Sequence, residues 1–347
     1  MKDKNKDRYW DCLDHAMEAS HGGRTEEALG WLDEALKAHP EGAEAHNGRG
    51  EILWDEGKFD EALAEFELAI QADPKFVAGH LNRAELLVEE FRAHEEAIQH
   101  CDRLLAGGGD LARLDRGTEA ELYYLKSKAL FYREELDGAL FLLRRAMQAA
   151  GEQDVYRAFE GQILYEQARF PEARRQLERA VTLNPDAGHA MYHLGLVLER
   201  LGDEVEAQRM FERAHAVDPE IYALPIEVDD ETFERTAREA VEDLPRSLRE
   251  TAEQIPVLIE DCPSEEMLER FDLSPQTLGV FLGTPRTEAH TTDQPDDVDR
   301  IVIFKKNLEK ACRDRDELLD QIKITVSHEL GHYLGLSEED LERLGLA

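Results

Sequence analysis

Three residues have the types and spacing for metal-assisted hydrolysis: His328, Glu329 and His332, in the order His-Glu-x-x-His. At about 100° per residue along a helix the two histidines fall within roughly 40° of each other, so both imidazoles can reach one metal ion from one face. Glu329 lies just round that face, where it can accept a proton from a water that zinc makes acidic near neutral pH. Val326, Leu330 and Leu334 point the other way, which predicts a helix buried on one side with its chemistry on the other. Gly335 follows where a left-handed C-cap would stop that helix.

Two imidazoles do not complete a catalytic zinc site, which takes three protein ligands and keeps one position open. One arrangement takes the third ligand from a second helix well downstream, but the sequence ends at Ala347. The other turns sharply at a glycine and places the ligand three residues later. Counting from Gly335 gives Glu338 as the expected third ligand. Ser337 followed by Asp340 also reads as a helix N-cap, which would make Glu338 and Glu339 first-turn acids favoured by the helix dipole. Glu339, Asp340 and the loop residue His290 are the other candidates.

The elements that must position this helix are strands. Ile301, Val302 and Ile303 form a continuous apolar run, typical of a buried strand. Leu278, Val280 and Leu282 alternate, as in a strand with one wet face. An edge strand beside a metal helix could hold a substrate's main chain by strand addition, and Gly279, Val280, Phe281, Leu282 and Gly283 are the candidates for that role. The plainer reading is a structural strand with glycines at its bends.

On these residues, about the last 120 positions resemble the small bacterial zincin-like metallopeptidases, whose domain is little more than a short mixed sheet and a zinc helix. Residues 233–245 resemble the family's opening helix and 256–261 its first strand. Residues 277–285 resemble its Gly-x-aromatic-x-Gly-x-Pro stretch, and 299–304 the strand that precedes the metal helix. The resemblance implies one Zn2+ ion held by His328 and His332, with Glu329 as catalytic base. The family usually carries aspartate where this sequence has Glu338, whose longer side chain can still ligate.

The chain has 347 residues, enough for two or three domains. Lys and Arg number 41 against 77 Asp and Glu, a net charge of −36 that repels phosphate backbones and anionic bilayers. Nucleic acid and membranes are therefore not expected partners, and a basic partner is permitted. The opening Met-Lys-Asp-Lys-Asn-Lys-Asp-Arg has no apolar core behind it, and no run approaches membrane-spanning length, which predicts a cytoplasmic protein. Cys12, Cys101, Cys262 and Cys312 are scattered without a Cys-x-x-Cys pair, as reduced structural thiols would be.

Upstream the sequence repeats. Pro40 and Pro74 lie 34 residues apart, as do Pro185 and Pro219. Ala16, Gly50, Ala84, Ser127, Gly161 and Gly195 keep the same beat at a position needing a small side chain, and Ala28, Ala62, Ala139, Ala173 and Ala207 do so for a second helix. Phe66 and Phe211 fill a large-residue position four further on, where Leu32, Leu143 and Leu177 stand in. This pattern resembles six tetratricopeptide repeats, beginning near Tyr9, Ala43, Val77, Ala120, Asp154 and Gly188. Between the third and fourth the chain gains about nine residues, so either the array bends there or it forms two blocks of three.

In this repeat family the first helices line a groove that commonly binds peptide segments or partner helices. By position Trp10, Leu13, Asn47, Leu81, Tyr124, His189 and Tyr192 face it, unless they pack repeat on repeat. His189 and His193 form a second i, i+4 histidine pair, but without a glutamate base, and are read as groove or packing residues. Near Pro225 the beat stops at a short acidic connection, which should dock the following module close to the last repeat.

The expected architecture is thus multidomain: an all-α tetratricopeptide repeat solenoid over 1–221, interrupted near 106–118, a connection over 222–230, and a small α+β zincin-like domain over 231–347. The expected function is a zinc-dependent peptidase whose repeats bind or position protein substrates or partners. The alternatives are a protein-interaction scaffold with a structural or inactive zincin-like module, and a module that holds zinc for stability alone. The ligand assignment has a direct test. Glu338→Ala should weaken zinc affinity at least about tenfold in competitive chelator titration, and Glu338→Asp should preserve it. Unchanged affinity in the alanine variant moves the ligand to Glu339, Asp340 or His290.

Overall fold

Small residues on a 34-residue beat let helices pair closely, and the chain forms helical hairpins at those positions. They are α1 (Lys4–His21) with α2 (Thr25–Ala38), α3 (Ala43–Asp55) with α4 (Phe59–Ala72), and α5 (Val77–Glu89) with α6 (His94–Leu105). After them come α7 (Arg116–Tyr132) with α8 (Leu136–Ala150), α9 (Asp154–Glu166) with α10 (Phe170–Leu183), and α11 (Gly188–Arg200) with α12 (Glu204–Val217). The computed structural model describes residues 4–107, 114–244, 249, 252–283, 299–336, 341 and 343. Most of the insertion after the third repeat lies outside them.

The reason for the beat is visible in the packing. Gly50 lies under the Phe66 ring, Gly161 under Leu177 and Gly195 under the Phe211 ring, so close that a Cβ at these three positions would stand 2.4–2.6 Å from those side chains. Where the small residue is Ser127, its hydroxyl donates to the Ala139 carbonyl at 2.7 Å, which satisfies the polar group inside the hairpin. Each hairpin turns through one residue in the left-handed region. Glycine holds it at Gly23, Gly57 and Gly202, whereas Arg92, Glu134 and Ala168 adopt it with a side chain at a small strain cost.

The chain divides into two compact units, Met1–Tyr156 and Arg157–Ala347. In the first, Asn47 is buried and bonds to Glu51, while Asn82 donates to both Asn47 and Glu51, a polar ladder from one repeat to the next. In the second, the repeat hairpins are followed by α13 (Asp230–Asp243), β1 (Val257–Glu260), α14 (Glu265–Phe271), β2 (Gly279–Leu282), β3 (Arg300–Phe304), α15 (Lys305–Ala311) and α16 (Arg315–Leu334).

The three strands form one sheet in the order β1-β3-β2, β1 parallel and β2 antiparallel to β3. Central β3 is buried on both faces, as its unbroken apolar run requires. Ile301 and Ile303 join Phe233 and Ala237 of α13 and Leu318, Ile322, Val326 and Leu330 of α16 in one core. Val302 and Phe304 pack with Leu282, Val280 and the α14 residues Met267 and Phe271 on the other face. The wet face expected for the strand carrying Leu278, Val280 and Leu282 is not found. Phe281, on the side expected to be solvated, packs into the α13–α16 core with its ring 5.4 Å from that of Tyr333, while the Val280 side is covered by α14.

Within the second unit α15 fastens the repeats to the sheet. Lys310 pairs with Glu199 of α11 at 2.6 Å with both side chains largely buried, and Lys306 pairs with Glu204 of α12 at 2.7 Å. Residues of the connection bond to the same helix, Ile226 N donating to the Glu309 carbonyl at 2.9 Å and Val228 N to the Glu309 carboxylate at 3.3 Å. Among the described residues no helix is long and apolar enough to cross a membrane.

Buried histidines should make the repeats acid-sensitive. His100 and His193, less than a tenth exposed, are held neutral with pKa values pushed down to about 3 by burial, and His80, whose ring faces His100, is lowered for the same reason. A depressed folded-state pKa means that this contribution is intact above the unfolded value near 6.5 and is lost progressively as pH falls toward about 3. Between pH 6.5 and 5, denaturant titration should show a loss of about 1–2 kcal/mol for each such histidine. His100→Gln and His193→Gln should flatten that dependence.

Candidate metal centre

Helix α16 carries the motif. Its N-terminus is capped by the Asp314 carboxylate, which accepts from Glu317 N at 2.9 Å, and it ends at Gly335 in the left-handed conformation, φ 75°. Val326 and Leu330 are buried in the core and Leu334 packs against it, so His328 and His332 are turned the other way as helical pitch dictates. The two imidazoles meet: their Nε2 atoms are 2.9 Å apart with the rings nearly perpendicular at 84°. A tetrahedral zinc with bonds of about 2.0–2.1 Å sets two such nitrogens roughly 3.3 Å apart. Small side-chain rotations would therefore suffice to bring the pair from a mutual hydrogen bond to the spacing of two ligands on one ion.

The described residues do not contain a third ligand at this place. Among them no group of three or more His, Cys, Asp or Glu side chains is arranged to hold a metal ion. Glu338, Glu339, Asp340 and His290 all lie outside the described residues.

Glu329 is tied to the sheet. Its Oε2 accepts the Phe281 N–H of β2 at 2.7 Å. The pairing explains why that N–H is available. Phe304 N donates to the Leu278 carbonyl at 2.8 Å, so Leu278, Val280 and Leu282 direct their main-chain groups toward β3 while Gly279 and Phe281 direct theirs to the outer edge. Among the described residues Gly279, Val280, Phe281 and Leu282 thus form an edge strand beside α16, with Gly283 just beyond it, but the outward N–H of Phe281 is already taken by Glu329.

This bond needs the strand to lie very close to the helix, and Gly279 permits it. A Cβ there would stand 2.6 Å from Thr325 Cγ2 and 3.4 Å from Glu329 Cγ. On the opposite side of α16, Gly331 leaves room for Leu341, whose Cδ2 would be 2.1 Å from a Cβ. The alternation over residues 278–282 places Gly279 on the strand but carries no sign of its contact with Thr325.

The groove candidates are mostly packed. Asn47 belongs to the polar ladder, Tyr124 lies against Tyr156 with ring centroids 5.1 Å apart, and Tyr192 lies against Phe211 and Tyr222. Leu13 packs against the first hairpin's core and Leu81 against that of the third. Trp10 is the exposed member of the set. His193 is buried with its Nδ1 on the His189 carbonyl at 3.0 Å, a packing arrangement.

Residues 252–346 match the family model described as zincin-like metallopeptidase, and residues 13–75, 57–112 and 160–221 match the tetratricopeptide repeat model. The chain therefore carries tetratricopeptide repeats in its N-terminal region and a zincin-like metallopeptidase domain after them. That family implies zinc binding in general. No curated protein matches the sequence significantly. Among solved structures, Pseudomonas aeruginosa pilF is 17% identical with a TM-score of 0.51, over 62% of this chain and 94% of that one. PilW, described as a widely conserved type IV pilus biogenesis factor, is 16% identical with a TM-score of 0.53, over 61% and 94%. The APC/C hetero-tetramer Cut9-Hcn1 is 14% identical with a TM-score of 0.54, over 62% of this chain and 41% of that one. These likenesses establish the fold alone.

The strand–helix contact predicts a coupled pair of substitutions. Gly279→Ala should destabilise the second unit by roughly 1–3 kcal/mol through overpacking on Thr325. Adding Thr325→Ser, which removes Cγ2, should recover most of that loss in a double-mutant cycle read by denaturant titration. Simple additivity of the two changes would show that the contact is not the cause.

Proposed function

We propose that the protein is a zinc-dependent peptidase whose repeats bind or position protein substrates or partners. The observation that carries this reading is the convergence of His328 and His332 Nε2 at 2.9 Å, with Glu329 next in sequence and oriented by the Phe281 N–H. The two imidazoles and a third ligand, for which Glu338 is our choice, would hold a zinc ion, which would supply Lewis acidity and lower the pKa of water toward 7. The chain's own part is to hold and move a proton. Glu329 would accept it at a carboxylate whose Oε2 is oriented by the strand N–H. Gly279 to Gly283 then lie where an extended substrate segment would run beside the helix.

The repeats favour protein or peptide partners, and one structure of the same fold, Cut9-Hcn1, is itself a hetero-tetramer. A net charge of −36 favours basic partner segments over nucleic acid or anionic membranes. An intracellular, cytoplasmic setting fits four free cysteines, three of them buried.

A second reading is a protein-interaction scaffold whose zincin-like module is structural or inactive. The bond from Phe281 favours it specifically, because a carboxylate that anchors a strand has a task without catalysis. One pair of measurements separates the two. The purified protein should contain one zinc per chain, lost in the His328→Ala, His332→Ala double variant, and Glu329→Gln should keep the metal while peptide hydrolysis falls by at least about 100-fold. Stoichiometric zinc with no chelator-sensitive hydrolysis in the unaltered protein supports the scaffold.

A further inference from the structure

Within the second unit a line of hydrogen bonds runs from the fifth repeat to the candidate base. Glu166, the last residue of α9, accepts from Ser274 Oγ at 2.8 Å and from Gln276 Nε2 at 2.6 Å. Asn307 of α15 approaches the same segment from the other side. It is buried, 5% exposed, and its Nδ2 donates to the Pro275 carbonyl at 2.9 Å and the Thr277 carbonyl at 2.8 Å. Four consecutive residues, 274–277, are thus held from two directions immediately before β2. Leu278 then accepts from Phe304 N, Gly279 rests on Thr325 and Glu329, and Phe281 N–H reaches the Glu329 carboxylate.

A strand of four residues paired on one side cannot set its own height against a neighbouring helix. Its entry must be fixed elsewhere, and here the fixing groups are on a repeat helix and on α15. Asparagine is a poor residue for a helix interior, yet Asn307 sits in α15 with both amide hydrogens donated to strand-entry carbonyls, which accounts for its presence there.

We propose that Glu166 and Asn307 are positioning residues for the metal centre: they fix the entry of β2 and, through the Phe281 N–H, the orientation of Glu329. The fifth repeat is then part of the peptidase site and not only a partner-binding module. The inference rests on the peptidase reading for its consequence in catalysis, but its structural half is tested without it.

The experiment uses the full chain carrying Glu166→Ala or Glu166→Gln, changes at a partly exposed side chain that leave the core untouched. In metal-free protein, Glu166→Ala should speed hydrogen exchange at the Phe281 amide by about tenfold while the Ile322 and Val326 amides of α16 keep their protection. In zinc-loaded protein, kcat for an unstructured peptide should fall by about tenfold with KM changed less than about twofold, as misorientation of a base predicts. Glu166→Gln should restore both, since its amide still accepts from Gln276 and can donate to Ser274. Asn307→Asp, equal in size but without the two donors, should accelerate Phe281 exchange further, and the Glu166 pair decides the matter if that variant does not fold. Unaltered Phe281 exchange in Glu166→Ala overturns the inference, even if Glu329→Gln abolishes hydrolysis and so upholds the peptidase. Accelerated exchange in a protein that hydrolyses nothing upholds the positioning and overturns the peptidase.

Discussion

The candidate centre depends on how near β2 comes to α16. A strand main chain can bond a helix side chain only if neither element carries bulk at the crossing, and the crossing here is Gly279 on Thr325. With that contact made, Phe281 lies one pleat further along with its N–H turned outward, and the Glu329 carboxylate is the acceptor it meets. The same approach brings the Phe281 ring against Tyr333, one residue beyond His332, so strand and motif are joined by packing as well as by the hydrogen bond. Both histidines ride on the helix whose other face is locked into the sheet by Val326 and Leu330. Their convergence follows from helical pitch, and their placement beside an edge strand follows from the glycine.

Charge governs the junction behind the site. In a chain with 36 more acids than bases, elements of like charge repel unless cations stand between them. Helix α15 supplies three: Lys305 to Asp230, Lys306 to Glu204 and Lys310 to Glu199. The first two are exposed on the acidic side and contribute little each. Lys310 and Glu199 are both mostly buried, so removing either would leave an unpaired charge in a poorly solvated place. The scarce lysines therefore specify which acids of the repeats meet the sheet, while Asn307 between them holds the strand entry.

The sequence disclosed whatever is periodic. Helix starts at Ala43, Val77, Asp154 and Gly188 coincide with the repeat starts read from it, because the small–large pairs Gly50–Phe66, Gly161–Leu177 and Gly195–Phe211 are written into the beat itself. Helix α16, its buried face and its Gly335 cap were equally legible, since each depends on residues within a few turns. Contacts between distant segments were not. Nothing in the alternation of Leu278, Val280 and Leu282 reports that Phe281 is covered by Tyr333, and no local rule links Asn307 to residues 275 and 277 or Glu166 to residues more than a hundred positions away. The cluster Lys305, Lys306 and Lys310 was the one available signal, a basic helix in an acidic chain.

The bond between Glu329 and Phe281 also limits how any added strand could pair with β2. Residues that present main-chain groups to the outer edge recur every second position, about 6.8 Å apart. With the Phe281 N–H engaged, a strand added alongside finds its nearest free outward positions displaced by that step, toward Gly279 on one side or Gly283 on the other. Both positions are crowded: a Cβ at Gly279 would stand 2.6 Å from Thr325 Cγ2 and one at Gly283 2.2 Å from Asp299 Oδ1. Gly283 has φ 151° and its carbon lies against Asp299, a conformation and a crowding that glycine alone accommodates, so the strand ends there in a bend. An extended segment that paired at Phe281 itself would compete with the Glu329 carboxylate for that N–H, and the orientation of Glu329 lasts only while the strand keeps its bond.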